Sequence, residues 1–521
     1  MVRRVRLLLA LVVLLCVSAG ALAEGTPLTM FINSTAAQTD KWGQDEFSQE
    51  IIERTGVQLT LEKPAADDNQ KLNLMLASGS QLPDLIMFDK TNPAYAEMVE
   101  AGMLLPLDQL IDQYVPEFKQ TSFYQNEWEL MRYDDGNVYY VPSGWNNRDK
   151  IDTGAYLLGR NGYYVREDLM KEMGNPQLET LDDLKQVLIQ AQQTYPEMRP
   201  LMLWDPLVGI SSPYGATSMF YFSMGGEQMF ELDENGVVRF SATSPLFKEA
   251  LRYMFELNQA GLINKSDFTD TIDQRMVYNN NGQVFLAVGA VYRAGESNGS
   301  LAAMKDGAAY IAIDHLKADP QQAPVLVPAS MGLGEAGINV TRDCADPEAA
   351  IRLITYLASD EGQALQIVGV EGKHWSWLEP GRALDQIGEY KQLNADWNSW
   401  ADTTGGYKYR WVGGGYHDCA FAWGLAASDP YRRRTYEVES LTRDATMFDD
   451  ILPTGNVPEA VTLQKVNDLW ARYLPKIILA ENAEDFEVQY QQLMDALQSA
   501  GLEQIEQYAT MRYNQNNGIQ K

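Results

Sequence analysis

The residues of this chain that could do chemistry are scattered along it, and few have the spacing of a catalytic or metal site. His315, His374 and His417 lie far apart, so each is interpreted as a structural or surface group. No HExxH motif and no cluster of cysteine and histidine at metal-ligand spacing occurs in the sequence. The sequence therefore predicts no catalytic residue, no metal ligand and no cofactor.

Two segments match ligand-binding motifs in spacing but not in context. Residues Gly332-Leu333-Gly334-Glu335-Ala336-Gly337 have the spacing of a dinucleotide-binding fingerprint, which needs a helix directly after it. A β-prone run at 338–341 follows instead. Residues Asp233-Glu234-Asn235-Gly236 resemble the start of a calcium loop but lack its closing glutamate, so we interpret them as a hairpin turn.

Aromatic residues and glycines are concentrated between residues 369 and 423. A disordered segment would be poor in aromatic residues, and a simple core would not need so much glycine, so this composition favours an ordered surface on which flat ligands stack. Packing of the same rings against the core is the alternative. The candidate stacking residues here are Trp375, Trp377, Trp411, Tyr416 and Trp423.

Other candidate binding residues lie near the ends of short apolar runs. The carboxyl ends of strands in an α/β fold open on a ligand crevice, so side chains at these points are expected to line it. These candidates are Asn33, Asp89, Trp204 and Arg293 at or after predicted strands, and Trp42, Ser80 and Trp145 in connecting segments.

The elements that must position these residues follow an α/β pattern. Strands are predicted at 27–33, 57–61 and 84–88, with amphipathic helices between them, the first at 40–54. This β-α-β-α-β order predicts parallel strands joined by right-handed crossovers. A hairpin is predicted over 128–142. Further strands are predicted at 156–165, 201–204, 283–288 and 310–313.

The amino-terminal residues have the composition of an export signal. Arg3, Arg4 and Arg6 precede an uncharged run at 7–17, and Ala21-Leu22-Ala23 offers a cleavage site, so residues 1–23 are interpreted as a signal peptide. Cys16 could carry a lipid anchor, but Leu14-Leu15 before it disfavours this. Cleavage would leave Cys344 and Cys419, which do not form a disulfide framework.

The length of the chain indicates how many lobes it can form, and its charge excludes some classes of partner. At 521 residues the chain is long enough for two lobes. Its formal net charge is −30, and loss of the three arginines of the signal region would make it −33. Such a charge repels nucleic acid and anionic lipid, so neither is expected as a partner.

Six segments in order resemble one protein family. They are LMLASGSQLPDLIMF, AGMLLPLDQLIDQYVPEF, DGNVYYVPSGW, REDLMKEMGNPQLETLDDL, GLGEAGINV with DPEAAIRLITYLASDEGQAL, and GVEGKHW. On these segments the chain resembles the family 1 extracellular solute-binding proteins, in the long LipO-like subgroup that serves carbohydrate ABC importers. Its segment from GINV to DEGQAL is also similar, more distantly, to the corresponding segment of maltose-binding protein.

This resemblance implies a two-lobed, periplasmic-binding-protein-like α/β fold of type II, with a hinge and a ligand cleft between the lobes. By analogy, residues 24–142 plus 335–380 form the first lobe and residues 145–330 plus 395–521 the second. The ligand would be a sugar or oligosaccharide, the partners the transmembrane subunits of an ABC permease, and the protein a monomer. Cys344 and Cys419 would then lie on opposite lobes, where a disulfide would block hinge motion.

Two other functions stay open at this point. A secreted glycan-cleaving enzyme would need two carboxylates about 5–9.5 Å apart, and 71 acidic residues leave room for such a pair. The same binding fold could also take a peptide or an anion. The sparse basic residues near the expected crevice, Arg148 and Arg293, argue against a strongly anionic ligand, while an acidic sugar with a single carboxylate stays open.

Overall fold

The computed structural model of the chain describes residues 25–35, 37–66, 69–90, 92–133, 135–143, 161–290, 293–329, 336–380, 383–393, 397–406, 408–413, 430–453 and 457–519. From its start to residue 143 the elements are β1 (Thr26–Ile32), α1 (Glu46–Thr55), β2 (Val57–Glu62), α2 (Gln70–Ser78), β3 (Leu85–Asp89), α3 (Pro93–Glu100), α4 (Leu107–Tyr114), a 3₁₀ helix (Pro116–Gln120), α5 (Ser122–Glu127), a second 3₁₀ helix (Trp128–Met131) and β4 (Tyr140–Pro142).

The next part of the chain, from 161 to 329, alternates strands and helices. Its elements are β5 (Asn161–Arg166), α6 (Glu167–Glu172), α7 (Leu181–Thr194), β6 (Arg199–Leu203), α8 (Ala216–Ser223), β7 (Phe230–Leu232), β8 (Val238–Phe240), 3₁₀ turns at Ser241–Thr243 and Lys265–Phe268, α9 (Pro245–Gln259), α10 (Ile272–Asn280), β9 (Val284–Ala290), α11 (Arg293–Met304), β10 (Tyr310–Ile313) and β11 (Val327–Ala329).

The remainder is mostly helical. It contains β12 (Ala336–Val340), α12 (Pro347–Leu357), α13 (Asp360–Ile367), β13 (Trp375–Glu379), β14 (Ala383–Gln386), α14 (Glu389–Leu393), α15 (Trp397–Thr404), α16 (Arg410–Gly413), α17 (Pro430–Glu439), β15 (Thr442–Asp444), a 3₁₀ turn (Thr446–Phe448), α18 (Pro458–Ile478), α19 (Ala483–Ala500) and α20 (Leu502–Asn516).

Two sheets organise these elements into two lobes. The first sheet has the order β2-β1-β3-β12-β4 and the second the order β10-β5-β9-β6. β1, β2 and β3 are parallel, as the β-α-β-α-β pattern predicts, and β12 runs antiparallel to both β3 and β4. Each sheet is buried in its own hydrophobic core, the first around Phe31 and Ile86 and the second around Leu203 and Trp470. The predicted two-lobed α/β fold is thus confirmed.

The chain passes between the lobes three times. It leaves the first sheet after β4 and enters the second at β5, returns between β11 and β12, and passes again to the second lobe between α16 and α17. The connecting segments, 144–160, 330–335 and 414–429, lie outside the described residues.

Two local predictions are wrong. The helix predicted from residue 40 begins at Glu46, because Gly43 has a left-handed φ of 78° and Asp45 caps the helix by accepting from the Ser48 amide. The predicted hairpin over 128–142 forms only at its turn, where the Tyr133 amide donates to the Asn137 carbonyl at 2.8 Å, and its two strands do not pair. The strongly buried Trp128 lies in a 3₁₀ helix against Phe118, and β4 pairs with β12 instead.

The segment from 397 to 413 lies on the first lobe, although the resemblance placed residues 395–521 on the second. The Trp400 ring packs on Phe47 at 5.8 Å, and the Tyr409 hydroxyl donates to the buried Asp45 carboxylate at the start of α1. Tyr409 and Val412 belong to the first core. The aromatic segment therefore begins on the first lobe before it crosses.

The turn interpretation of Asp233–Gly236 is confirmed. β7 and β8 pair antiparallel, with Phe230 opposite Phe240, and the Asp233 carboxylate accepts from the amides of Asn235 and Val237. Both amides donate to the Oδ1 atom of Asp233, and the Arg239 Nε donates to its Oδ2 atom at 3.1 Å. The rejected dinucleotide motif also behaves as its context predicts, because Ala336 and Gly337 begin strand β12 rather than a helix.

Candidate functional site

The candidate site is the pair of sheet edges that the crossings join. On the first sheet this edge holds the ends of β1, β3 and β4 and the start of β12, since Asp89 lies opposite Ala336 and Pro142 opposite Gly337. On the second sheet it holds the start of β5 and the ends of β6, β9 and β10. These two edges hold the strand ends nearest to the crossings, so they are the candidate site.

An ion pair joins the first edge to the second lobe. Lys90, directly after β3, has its Nζ 4.0 Å from the Asp450 Oδ1. Asp450 belongs to the second lobe, because the adjacent Ile451 lies in the second core and Phe448 packs on Phe230 at 5.7 Å. The carboxyl edge of the first sheet is therefore in contact with the second lobe.

Asn33 and Asp89 lie together on the first edge, as predicted. The Asn33 amide N–H donates to the Met87 carbonyl at 2.8 Å, and its side-chain amide donates to Asn69 at 2.7 Å. Ser80 does not join them. It precedes β3, and the Arg342 guanidinium from the end of β12 binds the neighbouring Gly79 carbonyl, which places Ser80 at the opposite edge of the sheet.

A group of tyrosines that the sequence analysis missed lies next to Lys90. The Tyr95 ring packs against Tyr140 at 5.6 Å and Tyr133 at 6.0 Å, and Tyr133 packs against Tyr139 at 6.2 Å. The Lys90 Nζ lies 5.7 Å from the Tyr140 ring centre. Burial, with a hydrogen bond to Asp135, raises the pKa of Tyr139 to about 12, so it stays a neutral donor. The sequence signal for this group of tyrosines was the run at 133–140, Tyr133-Asp134-Asp135-Gly136-Asn137-Val138-Tyr139-Tyr140.

Trp42 is nearly buried, with 6% of its surface exposed. Its ring lies edge-on to Tyr409 at 4.9 Å, and its Nε1 has no hydrogen-bond partner among the described residues. The side chain lies beside the start of α1, but it offers little of its face to a ligand in this arrangement.

Trp204 ends β6 at the second edge, but its side chain points into the core. The indole N–H donates to the Tyr164 hydroxyl, which also accepts from Asn279 at 3.0 Å. The ring is fully buried. Trp204 does lie directly after a strand, as predicted. Its ring, however, has no exposed face on which a ligand could stack.

Asp205, the next residue, is a partly exposed polar side chain at this edge. Its backbone is left-handed, with φ 45°, and its carboxylate lies 3.6 Å from the buried Arg275 guanidinium. Arg275 in turn donates to the Asp267 carbonyl at 2.6 Å. Burial raises the pKa of Asp267 to about 7, although the Arg199 guanidinium lies 3.0 Å away.

Trp375 and Trp377 lie on the β13–β14 hairpin beside the start of α1. Trp375 is buried and donates its indole N–H to the Gly369 carbonyl at 2.9 Å. Trp377 is half-buried and lies perpendicular to Trp375 at 5.1 Å. Of the two, Trp377 has the surface that a ligand could use.

The other predicted residues are placed only in part. Trp145, Tyr416 and Trp423 lie outside the described residues. Arg293 begins α11 directly after β9, at the second edge, and Trp411 lies in α16 on the first lobe, each placed by its backbone alone.

The histidines are structural, as far as the described residues include them. The Val370 amide donates to His374 Nδ1 at 2.7 Å, so Nε2 carries the proton and donates to Glu46 at 3.0 Å. Burial lowers the pKa of His374. His315 lies between the carbonyls of Val325 and Asn161, at 3.1 and 3.2 Å, and burial lowers its pKa too. His417 lies outside the described residues.

One catalytic spacing escaped the sequence analysis. Residues Gly295-Glu296-Ser297-Asn298-Gly299 match the GxSxG pattern of serine hydrolases. A nucleophile elbow needs the serine at a strand-to-helix turn with its hydroxyl exposed. Ser297 instead lies within α11, and its buried hydroxyl has no partner among the described residues. The match is one of spacing only.

The described part of the chain has neither a metal-binding cluster nor a helix suited to a membrane. The ranges given above contain no group of three histidine, cysteine or acidic side chains that could hold a metal ion. None of their helices is long and apolar enough to cross a membrane.

Comparison with known proteins gives a consistent group. A family model described as bacterial extracellular solute-binding protein matches residues 45–370. The fructooligosaccharide ABC transporter substrate-binding protein FusA of Streptococcus pneumoniae is 26% identical over 226 residues, 42% of this chain and 41% of FusA. Lipoprotein LipO of Bacillus subtilis is 26% identical over 212 residues, 39% of this chain and 38% of LipO. These alignments span about two fifths of each curated relative.

Solved structures share the fold over nearly the whole chain. FusA in complex with kestose has a TM-score of 0.69 at 18% identity and covers 95% of this chain and 100% of its own. The alginate-binding protein AlgQ2 has a TM-score of 0.68 at 18% identity, covering 94% and 98%. An HMO-binding, ABC-transporter-associated solute-binding protein from Bifidobacterium longum infantis has a TM-score of 0.65 at 17% identity. It covers 94% of this chain and 99% of its own.

Proposed function

Because the chain belongs to the family of bacterial extracellular solute-binding proteins, we propose that it is the substrate-binding component of an ABC importer. It captures a sugar or oligosaccharide between its two lobes and delivers it to the transmembrane subunits of a permease. The observation that carries this proposal is the fold of two lobes, each built on its own sheet, with the Lys90–Asp450 contact between them. Two lobes on a hinge can close around a ligand and release it unchanged.

The side chains at these edges suit a carbohydrate. Sugar rings present C–H faces to aromatic planes and hydroxyls to carboxylates and amides. On the first lobe these groups are Asn33, Asp89, Trp377 and the tyrosines around Tyr140, with Trp42 beside them. Asp205 supplies a carboxylate on the second lobe. Trp145, Arg293, Trp411, Tyr416 and Trp423 complete the proposed site.

The charges at the edges favour a neutral ligand. The described cations there are already engaged: Lys90 with Asp450, Arg275 with Asp205, and Lys63 with the Thr35 and Ala37 carbonyls at 3.0 and 2.8 Å. A polyanion would meet engaged cations in a chain of net charge −30. We therefore infer a neutral oligosaccharide rather than an acidic polysaccharide.

Export and single-chain action are part of the proposal. The signal-like residues 1–23 and the extracellular family support a protein that works outside the cytoplasm. A monomer is expected to deliver the ligand, and light scattering of the purified mature chain would measure this.

Isothermal titration calorimetry tests the function. The mature chain is titrated with kestose, neutral milk oligosaccharides, N-glycan fragments and alginate oligosaccharides. We expect micromolar binding of one neutral class, which corresponds to about −8.2 kcal/mol, and no comparable binding of alginate. Binding only of alginate would contradict the neutral ligand. Release of reducing ends from any of these sugars would identify an enzyme instead.

A further inference from the structure

Among the described residues, Lys90 forms an ion pair between the two lobes. Lys90 follows β3 at the first edge, and its ammonium lies between two partners, the Tyr140 ring of its own lobe at 5.7 Å and the Asp450 carboxylate of the other lobe at 4.0 Å. Both distances are within the range of a cation–π contact and an ion pair. The Lys90 side chain is 16% exposed and that of Asp450 36%, so the pair is partly shielded from water.

Asp450 is held in place by its backbone. Its φ of 53° lies in the left-handed region, which aspartate and asparagine tolerate better than most residues. The flanking residues fix this turn to the second lobe, Phe448 through Phe230 and Tyr513, and Ile451 through the core. The carboxylate is therefore presented to Lys90 by a segment that moves with the second lobe.

The pair also lies beside one of the crossings. Asp89, before Lys90, is opposite Ala336, where the returning chain enters the first sheet. On the other lobe the same crossing leaves β11, and Ala329 is opposite Asp444, shortly before Asp450. Rotation of one lobe about this crossing would change the distance between Lys90 and Asp450.

We propose that the Lys90–Asp450 ion pair holds the two lobes in the observed arrangement and that breaking it lets them separate. This inference rests on the proposed function for its consequence, because ligand affinity of a hinged protein depends on how often the lobes are arranged to bind. Because salt screens an ion pair, this mechanism makes the binding of a neutral ligand sensitive to ionic strength. Direct contacts with an uncharged sugar would not have this sensitivity.

Small-angle X-ray scattering of the ligand-free mature chain tests the pair directly. The variants are Lys90→Met, Asp450→Asn and the double variant, since asparagine keeps the left-handed backbone and removes only the charge. The control is Lys185→Met, which removes the same charge from the Lys185–Glu256 pair (3.1 Å) within the second lobe. Scattering is measured at about 0.01 M salt, where the Debye length is about 30 Å, and at about 1 M, where it is about 3 Å.

We expect a larger radius of gyration at low salt for Lys90→Met and Asp450→Asn than for Lys185→Met, and no further increase in the double variant. At high salt the difference from the control should disappear. Equal radii for Lys90→Met and Lys185→Met at low salt would overturn the proposal, as would additive increases in the double variant.

Titration of the same variants with kestose then separates this inference from the function. If kestose binds, we expect its Kd to change about two- to fivefold in Lys90→Met and Asp450→Asn and to stay unchanged in Lys185→Met. An unchanged Kd in all variants would overturn the coupling to affinity. If no oligosaccharide binds the wild type, the proposed function fails, whereas the scattering result still decides whether the pair holds the lobes.

Discussion

The two facing edges of the molecule use their aromatic side chains differently. At the first edge, Trp377 is half-buried and the tyrosines around Tyr140 lie next to the interlobe ion pair. At the second edge, Trp204 occupies the position expected of a ligand-stacking residue, but it is fully buried and donates its indole N–H to Tyr164. A position at the end of a strand thus places a side chain at the cleft without deciding whether it points into the cleft or into the core.

The largest expected effect follows from this difference and concerns stability. Trp204→Ala should destabilise the protein by about 3–5 kcal/mol, because it leaves a cavity in the core and removes one of the donors to the buried Tyr164 hydroxyl. Trp377→Ala should cost less than about 1 kcal/mol, since part of its surface is already hydrated. Denaturant unfolding followed by circular dichroism measures both. Similar losses in the two variants would remove the contrast between the edges.

Ligand affinity should show the reverse order. Trp377→Ala is expected to weaken oligosaccharide binding about five- to thirtyfold, the effect of losing about 1–2 kcal/mol of stacking. Trp204→Phe keeps an aromatic ring in the core and should change the Kd less than about twofold. Calorimetry with the ligand found for the wild type measures both. A larger loss in Trp204→Phe than in Trp377→Ala would show that the second edge, not the first, contacts the sugar.

Much of the fold was predictable because local signals and burial agree. The strands at 27–33, 57–61 and 84–88 form with shifts of only one residue at some ends, since short apolar runs between amphipathic helices have one way to be buried. The run Thr180-Leu181-Asp182-Asp183 has the residue types of a capping box, and the structure has this box at the start of α7. In such segments the sequence within a few residues is sufficient.

The site was less predictable because it depends on contacts distant in sequence. Whether Trp204 is exposed depends on Tyr164 and Asn279, and the location of Tyr409 depends on Asp45. Ser80 was misplaced because a loop before a strand and a loop after it look alike in sequence but lie at opposite edges. The turn of the predicted hairpin forms, but the segment before it is a 3₁₀ helix in which Trp128 packs on Phe118, a residue too distant in sequence for a local pattern to include.

The two lobes also bury carboxylates in opposite electrostatic settings. Asp84 of the first lobe accepts three hydrogen bonds of 2.7 Å, from the amide and hydroxyl of Thr29 and the amide of Ala345, and its pKa is lowered because these bonds outweigh its partial burial. Asp267 of the second lobe is fully buried, which raises its pKa to about 7. Asp84 and Asp267 should therefore contribute to the pH dependence of stability with opposite signs.

This sign difference can be measured. A carboxyl with a raised folded pKa binds more protons when folded, so Asp267 makes the free energy of unfolding fall as pH rises from about 4 to about 7. Asp84, with a lowered pKa, contributes stability that is complete above about pH 4 and lost below it. Urea unfolding from pH 3 to 8 should show a flatter profile between about pH 4 and 7 in Asp267→Asn. An unchanged profile there would contradict the raised pKa.

The smallest expected effect concerns His374 on the first lobe. Its Nδ1 accepts from the Val370 amide, so protonation would set two N–H groups against each other, and burial lowers its pKa. A lowered folded pKa means that the unfolded chain takes up the proton first, so His374 costs stability as pH falls below about 6.5. This slope is opposite to that of Asp267. Nitrogen NMR of the labelled ring should show a proton on Nε2 at pH 7, and His374→Gln should remove only this slope. A protonated Nδ1 at pH 7 would instead mean that the Val370 amide has another acceptor and that the junction between α1 and the β13–β14 hairpin is arranged differently.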